Sequence, residues 1–222
     1  MSGIPISIGM QCTTASYFKE KGIRTLSFPF DWILSNPAFV FEMLNFLLKE
    51  NMDVTELVTK HFYVLDKKVF VDLDNAEHYV TINDETKPNK LNSKYDAVFP
   101  HDYASDQNEV KEKYIRRFQR LKDLILDKTI QLDFYYVSQS SSTGGNYTID
   151  GREVVTNVFE NLKKIYDLIS EYHGGNFKLI IFDTLNSKSK SVISECKNVQ
   201  IYSIAPKDRF FLILPEILSI QI

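Results

Sequence analysis

The sequence is poor in cysteine: Cys12 and Cys196 are its only two among 222 residues. Two thiols cannot build a disulfide framework or a four-cysteine zinc site. Charge of one sign is not in excess either. Lys and Arg number 26 against 29 Asp and Glu, a net charge of -3 with a sequence pI near 5.8. Such a balance leaves no electrostatic footprint for nucleic acid or an anionic membrane, so neither is expected as a partner. Long apolar runs are missing too: the longest, residues 39–48, is broken by Glu42 and Asn45 and is too short to span a bilayer. The opening MSGIPISIG carries no basic region and no extended apolar core, so no secretory signal is expected. A reducing, cytoplasmic setting follows as the natural expectation. No HExxH, no Walker spacing and no GxGxxG after a strand occurs, and Gly144-Gly145 behind its serines is no phosphate loop. No metal or other cofactor is expected.

What is present fits a globular chain, with 44% hydrophobic and 25% charged residues. Ile4–Ile8 reads as a strand ending at Gly9, and residues 13–21 as a helix stopped by Gly22, with Cys12 at the joint. Residues 24–32 (RTLSFPFDW) read as an ordered loop. Residues 38–49 carry a clear helical period behind an Asn36 N-cap and Pro37. Residues 61–83 (HFYVL, KVFVDL, EHYVTI) suggest a small antiparallel meander, and residues 97–101 an apolar run that leaves the core at His101. Residues 109–127 form an amphipathic helix. Leu132–Val137 is a strand, residues 144–151 a mobile loop, and residues 154–172 a long helix stopped by Gly174 and Gly175. Residues 178–182 and 199–204 are further strands, and 205–222 is an apolar tail packed on the sheet edge. Strands alternating with helices imply parallel pairing. The expected architecture is a single α/β domain over residues 1–222. It is a three-layer, Rossmann-like, mostly parallel sheet with helices on both faces and a small antiparallel insertion near 61–83.

Chemistry points first to Cys12. After a strand and at the first turn of a helix, its thiol meets the positive end of the helix dipole, which favours the nucleophilic thiolate. A buried, inert cysteine is the competing reading. Of four histidines, His61, His78 and His173 have ordinary explanations as an edge residue, a cross-strand partner and a helix C-terminal residue. His101 stands out as a base, between a proline and a loop at a strand end. A carboxylate to orient it could be Asp31 of PFDW or Asp183 at the C-terminal end of a parallel strand. Asp102, as a sequence neighbour on extended backbone, points away from it. Asp31 could equally be an anchor for Arg24. Arg116, Arg117 and Arg120 read as a solvated helix face among Glu109, Glu112 and Asp123.

At these residues the sequence resembles a known family. The string SIGMQCTTASYFKEKGIRTLSFPFDWILS (residues 7–35), then FPHDY and a helix reading YIRRFQRL, is similar to a family described as putative papain-like cysteine peptidases. The resemblance implies Cys12 as nucleophile and His101 as general base, with Asp31 in the PFDW block as the acidic member, although Asp102 also falls in a family motif. The local signature around a papain nucleophile is absent, and Gln11 directly precedes Cys12. The leading expectation is a cysteine hydrolase, of peptidase or acyl-transfer type, acting on a peptide or acyl substrate. Gln11, Arg24, Trp32 and Asp183 form its candidate substrate-binding set. A nucleotide- or sugar-handling transferase, with Arg24, Arg116 or Arg120 on phosphate, is the second. A non-enzymatic interaction module, with PFDW as a packing plug, is the third.

Overall fold

Four strands of this chain pair in parallel as its main sheet, and shorter strands pair antiparallel beside it. The computed structural model describes residues 3–9, 12–65, 67–74, 80–81, 94–103, 106–138, 146–149, 152–155, 157–184, 190–204 and 210–220. In chain order these form β1 (Ile4–Ser7), α1 (Cys12–Glu20), α2 (Pro37–Leu48), α3 (Val54–His61), β2 (Phe62–Leu65), β3 (Lys68–Val71), β4 (Val80–Thr81), β5 (Lys94–Tyr95) and β6 (Ala97–Tyr103). Then follow α4 (Gln107–Leu126), β7 (Leu132–Val137), β8 (Asn146–Ile149), β9 (Arg152–Val155), α5 (Val158–His173), β10 (Phe177–Asp183), α6 (Ser191–Ser194), β11 (Val199–Ser203) and α7 (Phe210–Ser219). The main sheet has the order β1-β7-β10-β11, and every pair in it is parallel.

Alternation along the central strands divides the core into two layers. Leu132, Phe134 and Tyr136 of β7, with Leu179 and Ile181 of β10, join the larger cluster formed with α2, α4 and α5. Tyr135, Val137, Ile180 and Phe182 face the other way, onto Tyr17 and Phe18 of α1 and Ile217 of α7. Helices therefore cover both faces of a buried parallel sheet, as its near-continuous apolar strands require. The α/β class and the mostly parallel sheet are as the sequence leads one to expect. Helix α2 begins as read, with Asn36 Oδ1 accepting the Phe39 N–H at 3.0 Å.

Several boundaries differ. His61 closes α3 instead of opening a strand, and α3 itself is capped by Asp53, which accepts the Thr55 and Glu56 N–H groups. The third strand of the antiparallel sheet is β6, not residues 78–83: the order is β2-β3-β6, while β4 pairs with β5. Residues 146–149 and 152–155, expected as loop and helix start, pair as a β8–β9 hairpin, and α5 starts at Val158. The tail forms α7, which packs against α1 over a face of the sheet instead of along its edge. Among the described residues, no helix is long and apolar enough to cross a membrane.

Candidate active site

The carboxyl ends of β1, β7 and β10 lie side by side, because the strands are parallel and in register from Ile4–Leu132–Phe177 onward. Open α/β sheets bind ligands along this edge. The β1–α1 connection sits on it. Gly9 takes φ +94°, a left-handed conformation that side chains other than glycine rarely adopt. A Cβ there would stand 3.1 Å from Ser35 Oγ. Thr14 Oγ1 donates to the Gly9 carbonyl at 3.0 Å, tying the first turn of α1 back to the end of β1. Residues 10–11, and with them Gln11, lie outside the described residues.

Cys12 is the first residue of α1, and its side chain is half-buried. Burial pushes its thiol above the ordinary value, and its own backbone N–H pulls the other way with the smaller effect. Location alone therefore does not make the sulfur anionic, contrary to the reading from the helix dipole. Removing the apolar walls' cost for a charged sulfur falls to some other group. Cys196 is half-buried beyond α6, with its thiol also raised by burial.

The PFDW block touches the end of β1. Ser7 Oγ donates to the Phe30 carbonyl at 3.4 Å. Asp31 is 1% exposed; its Oδ2 accepts from Arg24 Nη2 at 3.1 Å and from the Phe28 N–H at 3.1 Å. Its Oδ1 is buried with no hydrogen-bond partner. Burial raises the carboxyl above its ordinary range, opposed by the Phe28 N–H and by Arg24 and Arg117. Trp32 follows at φ +60°, a strained conformation for so bulky a residue, with its ring 5.8 Å from the Arg24 guanidinium.

His101 lies inside β6, which continues through it to Tyr103. The pairing with β3 is interrupted at this point: Val69 faces Phe99, while its neighbour Lys68 faces Tyr103. Pro100, His101 and Asp102 are thus looped out of the ladder as an extended bulge. Bulges of this kind re-aim side chains and are common beside active sites. The side chains of His101 and Asp102 lie outside the described residues, as does His78 entirely. A train of rings connects the strand to the PFDW block. Phe30 meets Phe118 at 5.8 Å, Phe118 meets Phe62 at 5.7 Å, and Phe62 stacks on Phe99 at 6.2 Å.

The other two described histidines do structural work. His173 is buried with Nδ1 2.9 Å from the Ile125 carbonyl and Nε2 3.2 Å from the Asn176 carbonyl, clipping the end of α5 to the end of α4. His61 Nδ1 meets the Asp72 carbonyl at 2.9 Å, and its ring stacks on Phe46. Asp183 ends β10, fully buried, two strands from β1 and so ~10 Å away across the sheet. Ser138 Oγ donates to its Oδ1 at 3.3 Å and accepts the Thr184 N–H at 2.9 Å; Lys190 Nζ lies 3.8 Å from Oδ2. Sequence reasoning passed over Ser138 and Thr184. A hydroxyl residue directly after the last residue of each strand was the available signal.

A family model described as putative papain-like cysteine peptidase matches residues 4–164. The chain belongs to this family. The matched span includes Cys12, the PFDW block and His101, and it ends within α5. Among curated proteins, the chain is 28% identical over 129 residues to "Uncharacterized protein R408" of Acanthamoeba polyphaga mimivirus, covering 54% of this chain and 55% of that protein. The chain thus matches about half the length of this relative. No solved structure matches the chain.

Proposed function

We propose that the protein is a cysteine hydrolase, of peptidase or acyl-transfer type, in which Cys12 attacks and His101 is the general base. The observation that carries this reading is the placement of Cys12 at the head of α1, on the carboxyl edge of the parallel sheet, within the span matched by the peptidase family. Burial keeps an isolated Cys12 thiol protonated, so the chemistry needs a base. In the proposed sequence His101 takes the Sγ proton as sulfur adds to the substrate carbonyl. The developing oxyanion faces the positive end of α1. Collapse breaks the C–N bond, and the imidazolium returns the proton to the departing amine. Water, deprotonated by the same imidazole, then cleaves the thioester and restores the thiol.

The acidic member of this arrangement is Asp31. Its Oδ2 is occupied by Arg24 and Phe28, whereas the buried, unpartnered Oδ1 can accept an imidazole N–H. Gln11, Arg24, Trp32 and Asp183 are assigned to substrate contact. A reducing cytoplasm would keep Cys12, a free thiol in the structure, available for reaction.

The test is the alkylation rate of Cys12 by iodoacetamide near neutral pH, read by mass spectrometry with Cys196 as internal reference. The expected result is faster labelling of Cys12 than of Cys196, with the advantage lost in His101→Ala. Equal Cys12 rates in the two proteins would overturn the assignment of His101.

A further inference from the structure

The three arginines of α4, read from the sequence as a solvated face, also line a cavity. Arg116, Arg117 and Arg120 converge with Arg24, which comes from the loop after α1, around one cavity of about 390 Å³. Thr25, Leu26 and Ser27 complete its lining. Arg120 Nη1 donates to the Ser27 carbonyl at 2.6 Å, and Arg24 Nη2 donates to Ser27 Oγ at 3.1 Å, so both guanidiniums are fixed by the same loop. Arg117 lies 5.3 Å from the Tyr114 ring. No ion pair joins Arg116 or Arg120 to Glu112 or Asp123 among the described residues; Asp123 accepts from Gln119 instead. Arg24 Nε is buried without a hydrogen-bond partner.

The charge balance of this cavity is unusual for the chain that holds it. Four guanidiniums line it and Asp31 is buried behind Arg24, while the whole chain is net negative at -3. Clustering four cations costs energy through mutual repulsion, and a buried donor without an acceptor costs more. An anion in the cavity relieves both. Guanidinium forks match the paired oxygens of a phosphoryl group, and forks from four residues can hold more than one such group.

We propose that the Arg24–Arg116–Arg117–Arg120 cavity is a binding site for the phosphoryl groups of a phosphorylated small molecule, with two adjacent phosphoryl groups fitting its charge best. Arg24 is shared with the Cys12 reading as a proposed substrate contact, whereas Arg116, Arg117 and Arg120 have no part in it, so the site is tested through Arg116.

The test uses the full chain and pyrophosphate as the probe, by titration calorimetry at fixed ionic strength, with inorganic phosphate and acetate as comparison arms. Pyrophosphate is expected to bind saturably, phosphate more weakly and acetate least. Arg116→Gln, at an exposed position where folding is not at stake, should weaken pyrophosphate about tenfold, and Arg116→Glu further. Cys12→Ala should bind it as the wild type does, which separates this proposal from the hydrolase reading. No saturable pyrophosphate binding, equal binding of acetate, or binding indifferent to Arg116→Glu would each overturn the site.

Discussion

Arg24 Nη2 reaches Asp31 Oδ2 across 3.1 Å, and that one carboxylate oxygen also receives the Phe28 N–H. The pair closes the loop between α1 and α2 on itself. It leaves a fully buried carboxylate dependent on one guanidinium that is itself 28% exposed.

Removing the cation should therefore hurt more than removing the anion. Arg24→Ala strands a buried charge and is expected to cost about 3 kcal/mol. Asp31→Asn, which still offers an oxygen to Phe28, should cost much less; urea unfolding of both variants measures the difference. Burial holds the Asp31 carboxyl above its ordinary value of 3.8. Between that value and the raised one, the folded chain binds a proton more tightly than the unfolded chain does. Folding stability from this group consequently grows as pH falls through that window. Wild type should gain on Asp31→Asn between pH ~7 and pH ~4, and a relative loss would contradict the burial argument.

Gly9 tolerates no side chain. Gly9→Ala forces a Cβ to within 3.1 Å of Ser35 Oγ at φ +94°. It is expected to destabilise by ~1–3 kcal/mol and to alter Cys12 alkylation, since the Thr14 hydroxyl ties this turn to α1. Gly22→Ala is the control: its φ is +68° but nothing lies within 4 Å of a Cβ there. It should lower the melting temperature without touching Cys12 reactivity.

His173 separates structure from chemistry. His173→Phe removes the ring nitrogens facing the Ile125 and Asn176 carbonyls inside the α4–α5 contact. A loss of ~2–3 kcal/mol is expected in urea unfolding. The Cys12 labelling rate at a temperature where the variant is folded should stay at the wild-type value.

Local signals carried most of the secondary structure. Asn36-Pro37 and the apolar period behind it give α2, and the six-residue run Leu132–Val137 is β7. Helix α3 escaped because only Val54, Leu57 and Val58 are buried in its eight residues. Asp53 followed by Glu56 was nevertheless a usable capping signal. Val154 and Val155 were absorbed into the α5 period, although a β-branched pair favours extended backbone. Partnering was less legible. That β3 takes β6 rather than residues 78–83, with a bulge at Pro100–Asp102, depends on a register between segments about thirty residues apart. At the site, the strand–turn–helix around Cys12 was readable, but the burial that raises its thiol was not, because it depends on distant elements. Arg116, Arg117 and Arg120 were visible on one helix; their convergence with Arg24 required the tertiary fold.

The strand leading to Cys12 pairs only with β7 among the described residues, Ile4 lying opposite Leu132. During synthesis β1 leaves the ribosome before its neighbour β7, which emerges only after α1 to α4 and the antiparallel sheet have been made. Closing so long a loop costs entropy that later contacts must repay. The β7-β10-β11 core can assemble from adjacent segments, with β1 docking onto its open side. A nascent or truncated chain lacking β7 would thus carry the cysteine without the turn geometry around it, coupling reactivity to completion of the sheet.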